Sequence, residues 1–375
     1  MKIAIFGGAF NPVHNEHVNI VLAAKRALGL DKVIVMPAFA SPDKSGVMTA
    51  RAKDRLKMCR LAFENIEGVE VSDYEIKRGG ISYSYLTCRH FKKLYSGDDL
   101  YFIIGADQLK NFSSWKEPEE ILKCVTLAVC ARENEEELKA ELKKFTARFK
   151  RDIVSFGYVG KAVSSTKIRT LAALGEDFSK YVSNAVKQHI CGGQLYYLSE
   201  LEGVKKLLTP ERWRHTVGVA VTAAENCRRL RVFEIDAITA AALHDCAKYL
   251  GPASPELAGF KCPPNVPPPV VHQYSGAYVA EHTFGIKDEG VLNAIRYHTS
   301  GRENMSNIEK LIFLSDILEE GRDFDGVERL RNLFKVDINK CLIAALEGQI
   351  KHIEESGGNV YPLSRRALLY LKENL

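Results

Sequence analysis

Short apolar runs alternate with longer amphipathic stretches through the first half of the chain. Residues 2–6 predict a buried strand, and residues 16–28 a helix that stops at Gly29. Residues 32–36 predict the next strand, 51–63 a helix, 69–71 a short strand and 84–95 a helix. Two more strands follow, at 100–104 and 125–130. Such β-α-β alternation predicts a doubly wound parallel sheet with helices on both faces, and ligands on such sheets sit beyond the carboxyl ends of the strands. The highly charged stretch 132–151 reads as a solvated helix. Beyond about residue 197 the strand-like runs disappear. Amphipathic helices are predicted at 210–230, 234–249, 275–284, 289–298, 308–319 and 339–354, with one Pro-rich breaker at 262–269. Gly192-Gly193 interrupts the pattern, so the boundaries expected are an α/β domain over 1–191 and an all-α domain over 197–375.

Composition adds limits. A chain of 375 residues is too long for one ordinary core and suits two. Its net charge of +5 is too small and too dispersed to argue for nucleic acid or an anionic membrane as partner. The nine cysteines are scattered with no C-x-x-C pair, which fits reduced thiols in the cytoplasm rather than a disulfide framework. No signal peptide and no apolar run of membrane-spanning length is evident. A homo-oligomer is compatible with all of this.

Candidate chemistry begins where the first strand ends. Gly7, Gly8 and Phe10 precede Asn11-Pro12-Val13-His14-Asn15-Glu16-His17, which opens a helix. Glycines there let backbone approach a ligand, and free helix-start amides suit a phosphate. His14 and His17, three apart, can face one way and stabilise charge developing on a phosphorus oxygen. A second anion cradle is Ser164-Ser165-Thr166-Lys167-Ile168-Arg169. Singly, each is explained by an ordinary turn or a capped helix.

In the second half, Ala237, Ala240, Ala241 and His244 share a buried helical face. Val291, Ile295 and His298 share another, and Ile308, Ile312 and Asp316 a third. A carboxylate on an apolar stripe needs a partner, and a metal held jointly with imidazoles supplies one. With His215, Asp245 and His272 the set is four His and two Asp, whereas His282 and His352 lack such context. A lone buried His is usually only a satisfied core residue, so the inference rests on the combination.

The two N-terminal motifs resemble those of the nucleotidylyltransferase superfamily, G-x-F-x-P-x-H-x-x-H and S-x-T-x-x-R. Ile103-Ile104-Gly105-Ala106-Asp107-Gln108-Leu109, followed by Phe112 and Trp115-Lys116, is similar to bacterial nicotinate-nucleotide adenylyltransferases. That resemblance implies a Rossmann-like fold and transfer of AMP from ATP, with Mg2+, to nicotinate mononucleotide, giving deamido-NAD and pyrophosphate. It implies that His14 and His17 meet the ATP phosphates, and that Ser165, Thr166 and Arg169 hold the β and γ phosphates. Asp107 would meet the ribose and Trp115 the nicotinate ring. Gly7, Gly8, Phe10, Lys44, Gly105 and Ser164 complete the nucleotide-binding set. Two departures, Asp43 for a His and Leu86 for an Asp, leave nicotinamide mononucleotide or pantetheine phosphate as alternative acceptors.

The second half resembles the HD superfamily of metal-dependent phosphohydrolases. Ser275-Gly276-Ala277-Tyr278-Val279-Ala280 and Ala294-Ile295-Arg296-Tyr297-His298-Thr299-Ser300-Gly301 are similar to the YqeK-type members, which split diadenosine tetraphosphate into two ADP. The resemblance implies that His215, His244, Asp245, His272, His298 and Asp316 ligate a divalent transition metal, iron foremost, with Mn or Co able to substitute. Asp245 would also be catalytic, and Lys248 and Arg302 would meet phosphate. A nucleotidase, a cyclic-dinucleotide phosphodiesterase and a nucleotide-binding sensor are the alternatives for this half.

Overall fold

The computed structural model describes residues 1–42, 46–131, 135–160 and 163–374. Two compact units emerge. The first comprises Met1–Ser45, Thr49–Arg169 and Asp177–Leu195, and the second Gly46–Met48, Thr170–Glu176 and Tyr196–Leu375.

The first unit is built on six parallel strands: β1 (Lys2–Gly8), β2 (Lys32–Pro37), β3 (Val69–Val71), β4 (Asp99–Gly105), β5 (Thr126–Ala131) and β6 (Val154–Gly157). Their order across the sheet is β3-β2-β1-β4-β5-β6. The chain runs outward from β1 in one direction and resumes from β4 in the other. The crevice where strand order reverses therefore lies between β1 and β4, which pair from Lys2↔Asp99 to Ile5↔Phe102. Nine helices are described with this sheet: α1 (Asn15–Leu28), α2 (Ala52–Phe63), α3 (Tyr74–Arg78), α4 (Ser84–Leu94), α5 (Ala106–Asn111), α6 (Pro118–Cys124), α7 (Glu135–Phe149), α8 (Ser165–Ala173) and α9 (Asn184–Gly192). The central strands are apolar on both faces because helices cover both, and Ile3, Ile5, Ile34, Phe102 and Leu127 form the core.

Two expectations change here. Strand β6 has no counterpart in the predicted pattern: it is four residues long, and Ser155 and Gly157 alternate with Val154 and Phe156. Helix α7 is more than a solvated face: Leu138 and Phe145 are buried, and Phe145 packs on Phe112 at 5.7 Å between centroids.

The second unit is helical: α10 (Pro210–Asn226), α11 (Glu234–Leu243), α12 (Val271–His282), α13 (Glu289–Arg296), α14 (Asn307–Leu318), α15 (Val327–Val336), α16 (Ile338–Glu355) and α17 (Pro362–Glu373). Alanines dominate where α10 and α11 pack, with Ala220, Ala223, Ala237, Ala240 and Ala241 all buried, and small side chains let the helices approach closely. Good caps set the ends: Thr209 accepts from the Arg212 amide, and Ser306 with Glu309 forms a capping box. Helix α11 ends at Leu243, earlier than its pattern predicts, so His244 caps it rather than lying inside it. Helix α12 begins earlier than predicted, which places His272 in its first turn. The short pieces that join this unit do so through specific bonds. The Met48 amide donates to Glu234 Oε2 at 3.0 Å, and Trp213 Nε1 donates to Glu176 Oε1 at 2.8 Å. Among the described residues no helix is long and apolar enough to cross a membrane.

Candidate active sites

In the first unit, β1 delivers Gly7 and Gly8 to the crevice. A side chain on Gly7 would meet the Phe102 ring at 3.3 Å, and one on Gly8 the Phe10 ring at 3.2 Å. Phe10 adopts φ 46°, a left-handed conformation unusual for a large residue and typical of an over-determined site. Its ring is 2% exposed and stands edge-on to His17 at 5.0 Å. Phe10, expected in the nucleotide-binding set, has its ring enclosed against His17.

The start of α1 orients both histidines. The His14 amide donates to His17 Nδ1 at 3.1 Å, and the two rings stack at 3.7 Å. Because Nδ1 accepts, the neutral His17 ring carries its proton on Nε2, the opposite edge, and presents a donor there.

The loop between β1 and α1 is tied down from two directions. Arg55 on α2, buried, donates to the carbonyls of Ala9 (2.7 Å), Ala38 (2.6 Å), Phe39 (2.7 Å) and Ala50 (3.1 Å). From α8, Ser165 Oγ donates to Pro12 O at 2.9 Å, and Arg169 Nη1 to Asn11 O at 2.6 Å. Arg169 is 3% exposed, and its Nη2 donates to Thr166 Oγ1. The guanidinium of Arg169, a residue expected at the phosphates, is enclosed and bonds Asn11 O of one cradle and Thr166 of the other. Ser164 Oγ accepts the Lys167 amide at 3.0 Å, capping α8.

At the end of β4 the Asp107 carboxylate folds back over Gly105, in space that a side chain on Gly105 would fill. Asp107 is exposed at the start of α5. Trp115 is half-buried against Phe102 and Phe112, and beside it Lys116 Nζ lies 4.5 Å from the centroid of the Tyr83 ring. Glu75 on α3 belongs to no motif, yet its carboxylate is buried and accepts from Thr87 Oγ1 at 2.5 Å. Burial pushes its pKa up. Lys44 and Asp43 lie outside the described residues.

In the second unit, side chains from five helical segments converge. His215 comes from α10, His244 and Asp245 from the end of α11, and His272 from α12. His298 follows α13, and Asp316 lies on α14. His215 Nε2 lies 2.9 Å from Asp316 Oδ1. His272 Nε2 and His298 Nε2 lie 3.1 Å apart, at 3.3 and 3.6 Å from Asp245 Oδ1. The ligand atoms of His215, His244 and Asp316 all fall within 4.8 Å of one another, as do those of His244, Asp245 and His298.

The hydrogen bonds on the far side of the rings decide what faces inward. His244 Nδ1 lies 2.6 Å from Ala241 O, and His298 Nδ1 2.7 Å from Ile295 O. A carbonyl only accepts, so both Nδ1 atoms carry protons and both Nε2 lone pairs point to the centre. His244 Nε2 and Asp245 Oδ1 are buried there with no hydrogen bond of good geometry. Burial favours a neutral Asp245, yet the facing imidazoles outweigh it and hold the carboxyl far below its usual range. Asp316 is likewise held low against burial by His215, His244 and Arg322. Burial lowers His272 to about 4, which keeps its ring neutral. A neutral His272, ionised carboxylates and two orphaned inward atoms fit a divalent metal.

Three cations surround the cluster. Lys248 Nζ lies 3.0 Å from His272 Nε2, Arg212 Nη1 donates to Asp245 Oδ2 at 3.1 Å, and Arg322 Nη2 donates to Asp316 Oδ1 at 2.5 Å. Arg212 and Arg322 were not foreseen. Arg212 sits three residues before His215 on one helical face, a signal available in the sequence. Arg302, expected at phosphate, is instead held by buried Glu309 at 2.6 and 3.1 Å and lies over the Tyr297 ring.

A six-stranded parallel sheet with a histidine pair at its switch point, and a helical unit with a His/Asp cluster, define a nucleotidyltransferase joined to an HD phosphohydrolase domain. Residues 5–171 match the cytidylyltransferase-like family, and residues 212–321 match the HD domain. A Clostridium tetani protein named probable nicotinate-nucleotide adenylyltransferase is 37% identical over 183 residues, 48% of this chain and 92% of that protein. The chain belongs to the nicotinate-nucleotide adenylyltransferase family. A Mycoplasma genitalium protein named probable nicotinate-nucleotide adenylyltransferase/Ap4A hydrolase is 28% identical over 361 residues, 92% of this chain and 97% of that one. A crystal structure of a predicted HD superfamily hydrolase involved in NAD metabolism, from Clostridium acetobutylicum, shares 31% identity. It covers 47% of this chain and 96% of its own, with a TM-score of 0.43.

Proposed function

We propose that the first unit transfers the adenylyl group of ATP to nicotinate mononucleotide, and that the second hydrolyses a dinucleoside polyphosphate such as diadenosine tetraphosphate to two ADP. The observation that carries the first reading is the His14–His17 pair, oriented by the His14 amide at the β1/β4 crevice. A phosphate oxygen of the acceptor forms the new bond to the α-phosphorus of ATP, and the α–β bridging bond breaks to release pyrophosphate. His17 Nε2–H donates to the phosphate oxygens as charge builds on them. His14, Ser165 and Thr166 contribute alongside, while Asp107 meets the ribose and Trp115 the nicotinate ring. Mg2+ accompanying ATP supplies positive charge across the triphosphate.

In the second unit, His215, His244, Asp245, His272, His298 and Asp316 would hold a divalent metal, with iron the first candidate and Mn or Co as substitutes. Such a metal supplies Lewis acidity and lowers the pKa of bound water. Arg212, Lys248 and Arg322 bring positive charge to the phosphate oxygens around that centre. Water adds to one phosphorus of the central anhydride, the bridging P–O bond breaks, and each half leaves as ADP. The nine free cysteines support a reducing, cytosolic setting.

One experiment tests both halves on the full chain: pyrophosphate release from ATP with an acceptor panel, and ADP release from diadenosine tetraphosphate with added divalent metal. Nicotinate mononucleotide should be the preferred acceptor, and ADP the sole nucleotide product of hydrolysis. Tight nucleotide binding without product would overturn the hydrolytic reading.

A further inference from the structure

His215 differs from the other inward-facing rings. His244 and His298 lie at helix ends, where Ala241 O and Ile295 O accept their Nδ1 protons. His215 lies inside α10, where backbone carbonyls serve the helix itself. Its Nδ1 faces a side chain instead, Glu319 Oε1 at 3.1 Å. Glu319 is three residues beyond Asp316 and 5% exposed.

The surroundings of that carboxylate are built for it. Glu319 Oε2 accepts the Gly321 amide at 2.6 Å. Arg331 Nη2 donates to Glu319 O at 2.6 Å and fixes its backbone. Gly218, one turn beyond His215, leaves open the space the carboxylate fills: a side chain there would approach Glu319 Cδ to 3.0 Å. A side chain on Gly321 would approach both carboxylate oxygens to 3.1 Å. A glycine inside a helix is less favourable than alanine, so Gly218 needs a reason, and the Glu319 slot supplies one.

We propose that Glu319 is a positioning residue for the metal centre: it accepts the Nδ1 proton of His215, fixes the ring's tautomer and turns Nε2 toward Asp316. No relative's name or family match gives Glu319 this part, and it rests on the metal reading of the cluster. Partners of this kind shift metal affinity about 10–100-fold when removed.

The test uses the full chain stripped of metal by a chelator and titrated with Co2+. The d–d absorption spectrum and the affinity against a competing chelator are read, with circular dichroism melts to check folding. E319A should bind Co2+ roughly 10–100-fold more weakly with an altered spectrum. E319Q, whose amide oxygen still accepts a proton, should recover part of the loss. G218A should weaken binding in the same direction by displacing the carboxylate. If E319A does not fold, E319Q and G218A decide on the same criterion. Wild-type affinity and spectrum in the folded variants, or an E319Q no better than E319A, would overturn the proposal while leaving the metal reading intact. A wild-type chain that takes up no Co2+ would overturn both.

Discussion

The amide of His14 donates to Nδ1 of His17 at 3.1 Å, and this one bond determines which edge of the His17 ring presents a proton. That donor works mainly as charge develops on the phosphates. His17→Ala should therefore lower kcat of adenylyl transfer by about 10²–10³ while KM for ATP changes little. Steady-state kinetics with varied ATP checks this, and an unchanged kcat would remove His17 from the chemistry.

Trp115 is expected to act on the acceptor alone. Trp115→Ala should raise KM for nicotinate mononucleotide roughly fivefold, about 1 kcal/mol of aromatic contact, with KM for ATP unchanged. An equal rise in both would show a general collapse around Phe112 rather than loss of a ring contact.

Arg55 donates to four backbone carbonyls, of Ala9 in the nucleotide loop and of Ala38, Phe39 and Ala50 between β2 and α2. Arg55→Met keeps most of the stem but strands those acceptors. The variant should lose about 3 kcal/mol or more of stability in urea unfolding, and what remains folded should bind ATP more weakly. A fully stable variant would mean that water replaces the guanidinium at no cost.

Glu75 gives a pH prediction. Burial raises its folded pKa above the ordinary 4.5, so its contribution to stability is fully present below 4.5 and is lost as pH rises through the raised value. Glu75→Gln removes that ionisation and keeps an acceptor for Thr87. The variant should gain stability relative to wild type between pH 4.5 and pH 7, seen in denaturant midpoints at several pH values. Parallel pH profiles would contradict the assignment.

Chelation should lower the thermal transition of the second unit and abolish release of ADP. Metal at about 100 times its Kd stabilises the folded state by about 2.7 kcal/mol, so the shift should be plain in a melt and reverse when metal returns. An unchanged melt with full hydrolysis would exclude a metal-dependent site.

Much of this was legible along the chain because buried parallel strands are continuous apolar runs and the α/β and all-α textures differ. The central strands β1, β2, β4 and β5 stand out that way, whereas β6 is only four residues long and is interrupted by Ser155 and Gly157. In α7, Leu138 and Phe145 are a full heptad apart, hidden among charges. The His and Asp positions of the second unit were visible because buried helical phase is unusual for such groups. What supports them was harder to see. Glu319 shares a helical face with Asp316, but the slot that admits it depends on Gly218, 101 positions earlier. Motif position singles out Phe10 and Arg169 but does not disclose that both side chains are enclosed.

Adenylyl transfer is tested most directly by giving the purified full chain ATP and Mg2+ with nicotinate mononucleotide, nicotinamide mononucleotide or pantetheine phosphate, and measuring pyrophosphate and adenylylated product. Equal amounts of pyrophosphate and deamido-NAD are predicted, with nicotinate mononucleotide favoured over both alternatives. Absence of pyrophosphate with every acceptor, or preference for one of the other two, would contradict the assignment.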